Sequence, residues 1–152
     1  MPEQVRVQRT IHEEADELYD LVSDLPSMGK WSPENTGGRW VNGAVGPVVG
    51  ARFKGSNRKG LAKWSTDVQV TVADPGERFS FDVTRGPLKI ANWDYRFEQQ
   101  GGNTLVVETW TDHRVPVIGT IVGWFIGVTD RPDRNRRGME ATLANLAAAV
   151  ES

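Results

Sequence analysis

Between Trp31 and Arg114 the chain breaks into six short segments rich in Val, Phe, Trp and Thr, separated by turns that carry Gly or Pro. This punctuation constrains the fold more than any other feature. β-branched and aromatic side chains suit a pleated, half-buried surface, and short Gly/Pro turns join antiparallel neighbours, so the segments form a meander. They run approximately over Gly38 to Asn42, Ala51 to Arg58, Lys63 to Ala73, Glu77 to Thr84, Lys89 to Gln99 and Asn103 to Arg114. The connections GAVGPVVG, KGLA, DPG, RGPL and QGGN are turn-like, which makes neighbours in sequence neighbours in the sheet.

Two helical regions and one more strand flank the meander. Val5 to Arg9 alternates apolar and polar residues and reads as a seventh strand. His12 to Val22 places Ala15, Leu18, Tyr19 and Val22 on one helical face, with acids loaded into the first turns where the helix dipole favours them. Ser23, Asp24 and Pro26 break that helix, and LPSMGKW forms a short second one. Near the C-terminus Asn135, Met139, Thr142, Leu143, Leu146 and Val150 fall in one stripe at helical period, so this helix lies on the sheet. Thr129 or Asp130 is its expected cap, with Pro132 in the first turn.

The stretch FKGSNRKGLAKW, Phe53 to Trp64, superficially suggests a phosphate loop. Such a loop needs Lys and Ser or Thr directly after its last glycine, whereas Gly60 is followed by Leu61 and Ala62. Period two accounts for it better: Phe53, Gly55 and Asn57 face one way, and Lys54, Arg58 and Lys59 keep the outside solvated.

One face of the meander collects Phe53, Trp64, Val68, Val70, Val72, Phe79, Phe81, Val83, Trp93, Tyr95 and Phe97. Each aromatic ring hides about 150 to 250 Å², worth roughly 4 to 6 kcal/mol at about 25 cal/mol/Å², so this face is buried. Core packing explains most of these rings. It does not explain Asn57 and Thr66, which share the face and need hydrogen-bond partners there. The last strand is open to two readings: either Leu105, Val107, Thr109 and Thr111 point inward, slightly favoured by hydrophobicity, or Val106, Glu108, Trp110 and Asp112 do.

Composition removes several function classes. At 152 residues the chain has the length of a single domain, residues 1–152. A formal charge of -2 argues against general nucleic-acid affinity. There is no cysteine, and His12 and His113 stand in no metal-binding spacing, so neither a metal nor another cofactor is expected. The N-terminus MPEQVRVQRT is too charged for a signal peptide, which makes the cytoplasm the expected compartment.

The order strand, helical pair, six-strand meander and long terminal helix resembles the START-like, helix-grip fold of the SRPBCC superfamily, in particular its polyketide cyclase/dehydrase-like bacterial members. The residues that carry the resemblance are DLVSDLPSMGKWSPE (Asp20 to Glu34), VGARFKGSNRKGLAKW (Val49 to Trp64), DPGERFSF (Asp74 to Phe81), WDYRFEQQGGNTLVVE (Trp93 to Glu108) and RRGMEATLANLAAAVE (Arg136 to Glu151). It implies an α+β fold in which a curved seven-stranded antiparallel sheet wraps around the C-terminal helix. It further implies a deep apolar cavity between them for a small hydrophobic ligand such as a lipid, polyketide or aromatic compound. For the last strand it favours the second parity, with Glu108 and Trp110 inside.

On that expectation the ligand-binding candidates are Trp31, Trp40, Phe53, Asn57, Trp64, Phe81, Trp93, Tyr95, Glu108, Trp110, Asn135 and Met139. Glu108 is the catalytic candidate. An inward carboxyl either takes up a proton and donates to a carbonyl, or finds a cation such as Arg136. Ionised, it is a base for the cyclisation or dehydration of a polyketide-like substrate. Tyr95 and Asn57 orient a polar group, Asn135 sits at the mouth, and Trp31 and Trp40 either close one end or pack under the short helix. Pro116 to Thr129, fourteen nearly all apolar residues, is too short to span a bilayer and reads as a lid, a dimer contact or a transient membrane contact. Binding protein, enzyme and protein-interaction domain of the co-chaperone-activating branch are the three functional classes this leaves.

Overall fold

The computed structural model describes residues 4–33, 35–113 and 132–151. Strand β1 (Gln4–Ile11) leads into helix α1 (Ala15–Ser23) and a 3-10 helix (Leu25–Lys30). The meander follows as β2 (Asn35–Val41), β3 (Arg52–Lys59), β4 (Ala62–Asp74), β5 (Arg78–Arg85), β6 (Leu88–Gln100) and β7 (Asn103–Asp112), and helix α2 (Pro132–Glu151) comes last among the described elements. The seven strands form one antiparallel sheet in the order β1-β7-β6-β5-β4-β3-β2. Every neighbour within the meander is thus its sequence neighbour, as the short turns require. The expected caps of α2, Thr129 and Asp130, lie outside the described residues, as does Pro116 to Thr129.

Helix α1 begins at Ala15 rather than His12 because residues 12–14 are tied to the β6–β7 turn. The His12 ring Nδ1 lies 2.7 Å from Asn103 Oδ1, Thr104 Oγ1 donates to the Glu13 carbonyl at 2.7 Å, and Ala15 N donates to Gln99 Oε1 at 2.8 Å. That last bond satisfies a first-turn amide that no helical carbonyl can reach. Tyr19 then meets Phe79 and Phe97 edge to face, with ring centroids 6.1 and 6.0 Å apart, which pins α1 to the sheet.

Alternation holds along most strands and fails at bulges. Val106, Glu108 and Trp110 are the buried face of β7, the parity favoured by the resemblance rather than by hydrophobicity. In β4 a register shift between Val70 and Val72 turns Val72 toward Ser80 and puts Ala73 opposite Phe79. Val72 therefore leaves the apolar face that simple alternation assigns to it. A second shift between Val83 and Thr84, and a third between Asn35 and Gly37, add to the bend of the sheet.

The core lies between the bent sheet and α2. Met139, Leu143, Leu146 and Ala147 of the helix join Val5, Val7, Ile11 and the inner rings of β3 to β7 in one cluster. Polar bonds hold the helix at three levels. Arg136 Nη1 reaches the Arg6 carbonyl at 3.3 Å, Asn145 Nδ2 donates to the Trp31 carbonyl at 2.7 Å, and Glu151 Oε2 accepts from His12 N at 2.9 Å. The outer face of the sheet is solvated by ion pairs, with Asp94 between Arg78 and Arg96 and Lys89 beside Asp82.

Candidate functional site: a cavity between sheet and helix

The described residues surround a cavity of about 790 Å³ between β3–β7, the 3-10 helix and the first turns of α2. That volume falls within the range of about 300 to 1,000 Å³ typical of small-molecule sites. Nine of the twelve candidate residues line it: Phe53, Asn57, Trp64, Phe81, Trp93, Tyr95, Glu108, Asn135 and Met139. The other three stand in the packing around it. Trp31 and Trp110 are buried in the core, and the half-buried Trp40 meets Phe53 edge to face at 5.2 Å. Phe53 in turn sits over Gly38, where a Cβ would lie 2.6 Å from its ring, so only a glycine lets the ring take this place in the wall.

The polar groups sort into satisfied and unsatisfied ones. Asn57 Nδ2 donates to Thr66 Oγ1 at 3.3 Å, so these two inward polar residues of β3 and β4 supply each other's partner. Tyr95 and Glu108 stand directly opposite each other on β6 and β7, and the Tyr95 hydroxyl donates to Glu108 Oε2 at 2.8 Å. Glu108 Oε1, Asn135 Nδ2 and Thr84 Oγ1 have no hydrogen-bond partner among the described residues, although all three atoms are buried. Their residues all line the cavity.

Glu108 is 1% exposed. Burial pushes its carboxyl up to about 8, against the opposing pull of the Tyr95 hydrogen bond. At neutral pH it is therefore mostly a neutral acid, with Oε2 engaged by Tyr95 and Oε1 free to donate toward the cavity. Burial, then the nearby Glu108 charge and the bond to it, hold the Tyr95 phenol well above its usual range, so it remains a donor. The pairing of Glu108 with Arg136 is not formed, because Arg136 is turned outward to the Arg6 carbonyl. An arginine there would have lowered the carboxyl; burial without a cation raises it.

Several lining residues escape a reading by simple alternation. Thr84, Ile90 and Ala91 reach the cavity around the β5–β6 bulge, which no period-two pattern reveals. Lys59 also lines it, continuing the inward series Phe53, Gly55, Asn57 because β3 runs one residue further than expected. It does not belong to the outer face with Lys54 and Arg58. Thr142, Gly138 and Arg137 come from α2, where the apolar stripe marks Thr142 but gives no sign of the other two. Among the described residues no group of three or more metal-ligating side chains gathers, and no helix is long and apolar enough to cross a membrane.

A bent antiparallel sheet closed by a C-terminal helix over an internal cavity defines a helix-grip protein of the SRPBCC class. The family model described as polyketide cyclase/dehydrase and lipid transport matches residues 2–151, and the chain belongs to that family. Among solved structures it is similar to a Polyketide_cyc-like protein of Corynebacterium glutamicum, with 27% identity, TM-score 0.63, and 99% of this chain and 93% of that one covered. Two more distant likenesses show the fold alone. Ginseng major latex-like protein 151 from Panax ginseng has 11% identity, a TM-score of 0.73 and 97% of both chains covered. The AHSA1-like protein of Aeromonas hydrophila has 22% identity, a TM-score of 0.65, and 98% and 92% covered. No curated protein matches the chain.

Proposed function

We propose that this chain binds a small hydrophobic ligand in the cavity between sheet and helix, with aromatic walls supplying affinity and a few polar groups supplying orientation. One observation carries the reading: the buried atoms Glu108 Oε1, Asn135 Nδ2 and Thr84 Oγ1 are unpartnered within the described protein, and their residues line a roomy cavity that also has the rings of Trp64, Phe81 and Trp93 in its wall. Buried polar groups without partners are costly, so their retention is accounted for by a guest that completes them. Trp64, Phe81 and Trp93 form the walls, and Tyr95, Glu108 and Asn135 are the anchors. The family's description, which includes lipid transport, supports the same class of guest. The expected setting is a single-domain cytoplasmic carrier or sensor.

The neutral Glu108 favours a second reading, in which the protein catalyses a cyclisation or dehydration of a polyketide-like or aromatic substrate. An acid of pKa about 8 with one oxygen free is suited to protonating a developing enolate or a leaving hydroxyl. Glu108→Gln separates the two, since a binding protein keeps its ligand and an enzyme loses turnover while retaining affinity. The interaction-domain alternative requires an exposed apolar patch without an internal cavity, and the cavity weighs against it.

The binding reading is tested by titration with N-phenyl-1-naphthylamine, a neutral apolar fluorophore that brightens when removed from water. Saturable binding at one site per chain is expected, and Trp93→Arg, which brings a cation into the wall, should abolish it. Equal binding by the Trp93→Arg protein would place the dye outside the cavity and remove the support for this reading.

A further inference from the structure

Three cations lie along one side of the cavity lining. Lys59 ends β3, Arg85 ends β5 and Arg137 stands in the early turns of α2. The sheet register brings the β3–β4 and β5–β6 turns to one end, and α2 begins there too, with Arg136 bonded to β1. All three side chains are exposed, and none is engaged in a salt bridge among the described residues. Asp67 is the one exposed acid in the same lining. The chain as a whole carries a formal charge of -2, so this rim has the sign opposite to that of the molecule. The unpartnered Asn135 Nδ2, on a residue 8% exposed, adds a buried donor close to Arg137's level of the helix.

The opposite pole of the cavity has a different chemistry. Tyr95 and Glu108 are completely enclosed, and a second negative charge beside Glu108 would be repelled whenever that carboxyl ionises. Donors and cations at the rim, with a carboxyl group and aromatic rings within, impose one direction on an asymmetric guest. A cavity edge with three cations against the single exposed acid Asp67 is net positive, and a net charge at the edge concentrates ligands of the other sign.

Building on the binding reading above, we propose that the guest is an anionic amphiphile: an apolar body held between Trp64, Phe81 and Trp93, with a terminal anionic group at Lys59, Arg85 and Arg137. The apolar part points toward Tyr95 and Glu108, and the anion stays at the hydrated edge, where pairing avoids the full cost of burying charge.

Two probes share one body and differ in charge: N-phenyl-1-naphthylamine, and 8-anilinonaphthalene-1-sulfonate, which adds a sulfonate. The anionic dye should displace the neutral one and bind about tenfold more tightly at low salt, the preference shrinking as salt screens the rim. In the triple variant Lys59→Glu, Arg85→Glu, Arg137→Glu the ratio of the two affinities should fall to one or below. Equal affinities in the natural chain, or a preference that survives the triple reversal, would overturn the proposed ligand class while leaving the cavity reading intact. Failure of both dyes to bind would overturn the cavity reading and this inference with it.

Discussion

Tyr95 and Glu108 face each other across adjacent strands, and the tyrosine hydroxyl donates to Glu108 Oε2 at 2.8 Å in a fully buried site beside the cavity. The pair has an electrostatic consequence that reaches beyond binding. A carboxyl whose folded pKa is about 8, against an ordinary value of 4.5, holds its proton more tightly in the folded chain than in the unfolded one. Its contribution to stability is whole below about pH 4.5 and is lost as pH rises through 8, at about 1.4 kcal/mol per pH unit inside that window.

Urea unfolding at pH 5 and pH 8 therefore distinguishes the natural chain from Glu108→Gln. The glutamine amide keeps an acceptor for the Tyr95 hydroxyl but cannot ionise. The natural chain should lose on the order of 3 to 4 kcal/mol more than the variant between those two pH values. Parallel pH profiles would mean that Glu108 titrates normally and is open to water.

Tyr95→Phe removes the only described donor to Glu108. That bond is what restrains the upward shift, so the carboxyl should titrate still higher, followed by the carbon-13 shift of its side-chain carboxyl in NMR. Leaving a buried acceptor unmet should also cost about 1 to 3 kcal/mol of stability. A downward movement of the titration would show that water or another group replaces the hydroxyl.

Gly138 offers a test of the free space itself. It lies in α2 and lines the cavity, and a Cβ placed there meets no heavy atom within 4 Å. Gly138→Ala should stabilise the protein by roughly 0.5 to 1 kcal/mol through helix propensity alone. Gly138→Leu should keep that gain in thermal unfolding while weakening the binding of N-phenyl-1-naphthylamine, because its side chain occupies part of the guest's volume. Destabilisation by Gly138→Leu would mean that the space is already filled.

How much of this is legible in the residues differs between fold and site. The meander order follows from its turns, since DPG and QGGN leave too little chain for anything except antiparallel neighbours, and α2 follows from its stripe. The inward parity of β7 is not decided by hydrophobicity, because Leu105 and Val107 balance Val106 and Trp110, and Glu108 counts against its own face. Bulges account for most other departures. A shift of one residue at Val70/Val72 or Val83/Thr84 reverses the side chains that follow, and neither shift leaves a mark in an apolar pattern. A charged residue at a strand end, such as Lys59, ordinarily means solvation, and only the shared end of the sheet brings Lys59 and Arg85 to one rim.

Native mass spectrometry of the purified chain, followed by solvent extraction and identification of what it carries, tests the account most directly. The prediction is one retained small molecule per chain, with an apolar body and an anionic end, held by the natural protein and by Glu108→Gln and absent from Trp93→Arg. A natural chain whose bare mass persists even after incubation with excess candidate amphiphiles, or one whose retained molecule is unaffected by Trp93→Arg, would contradict it.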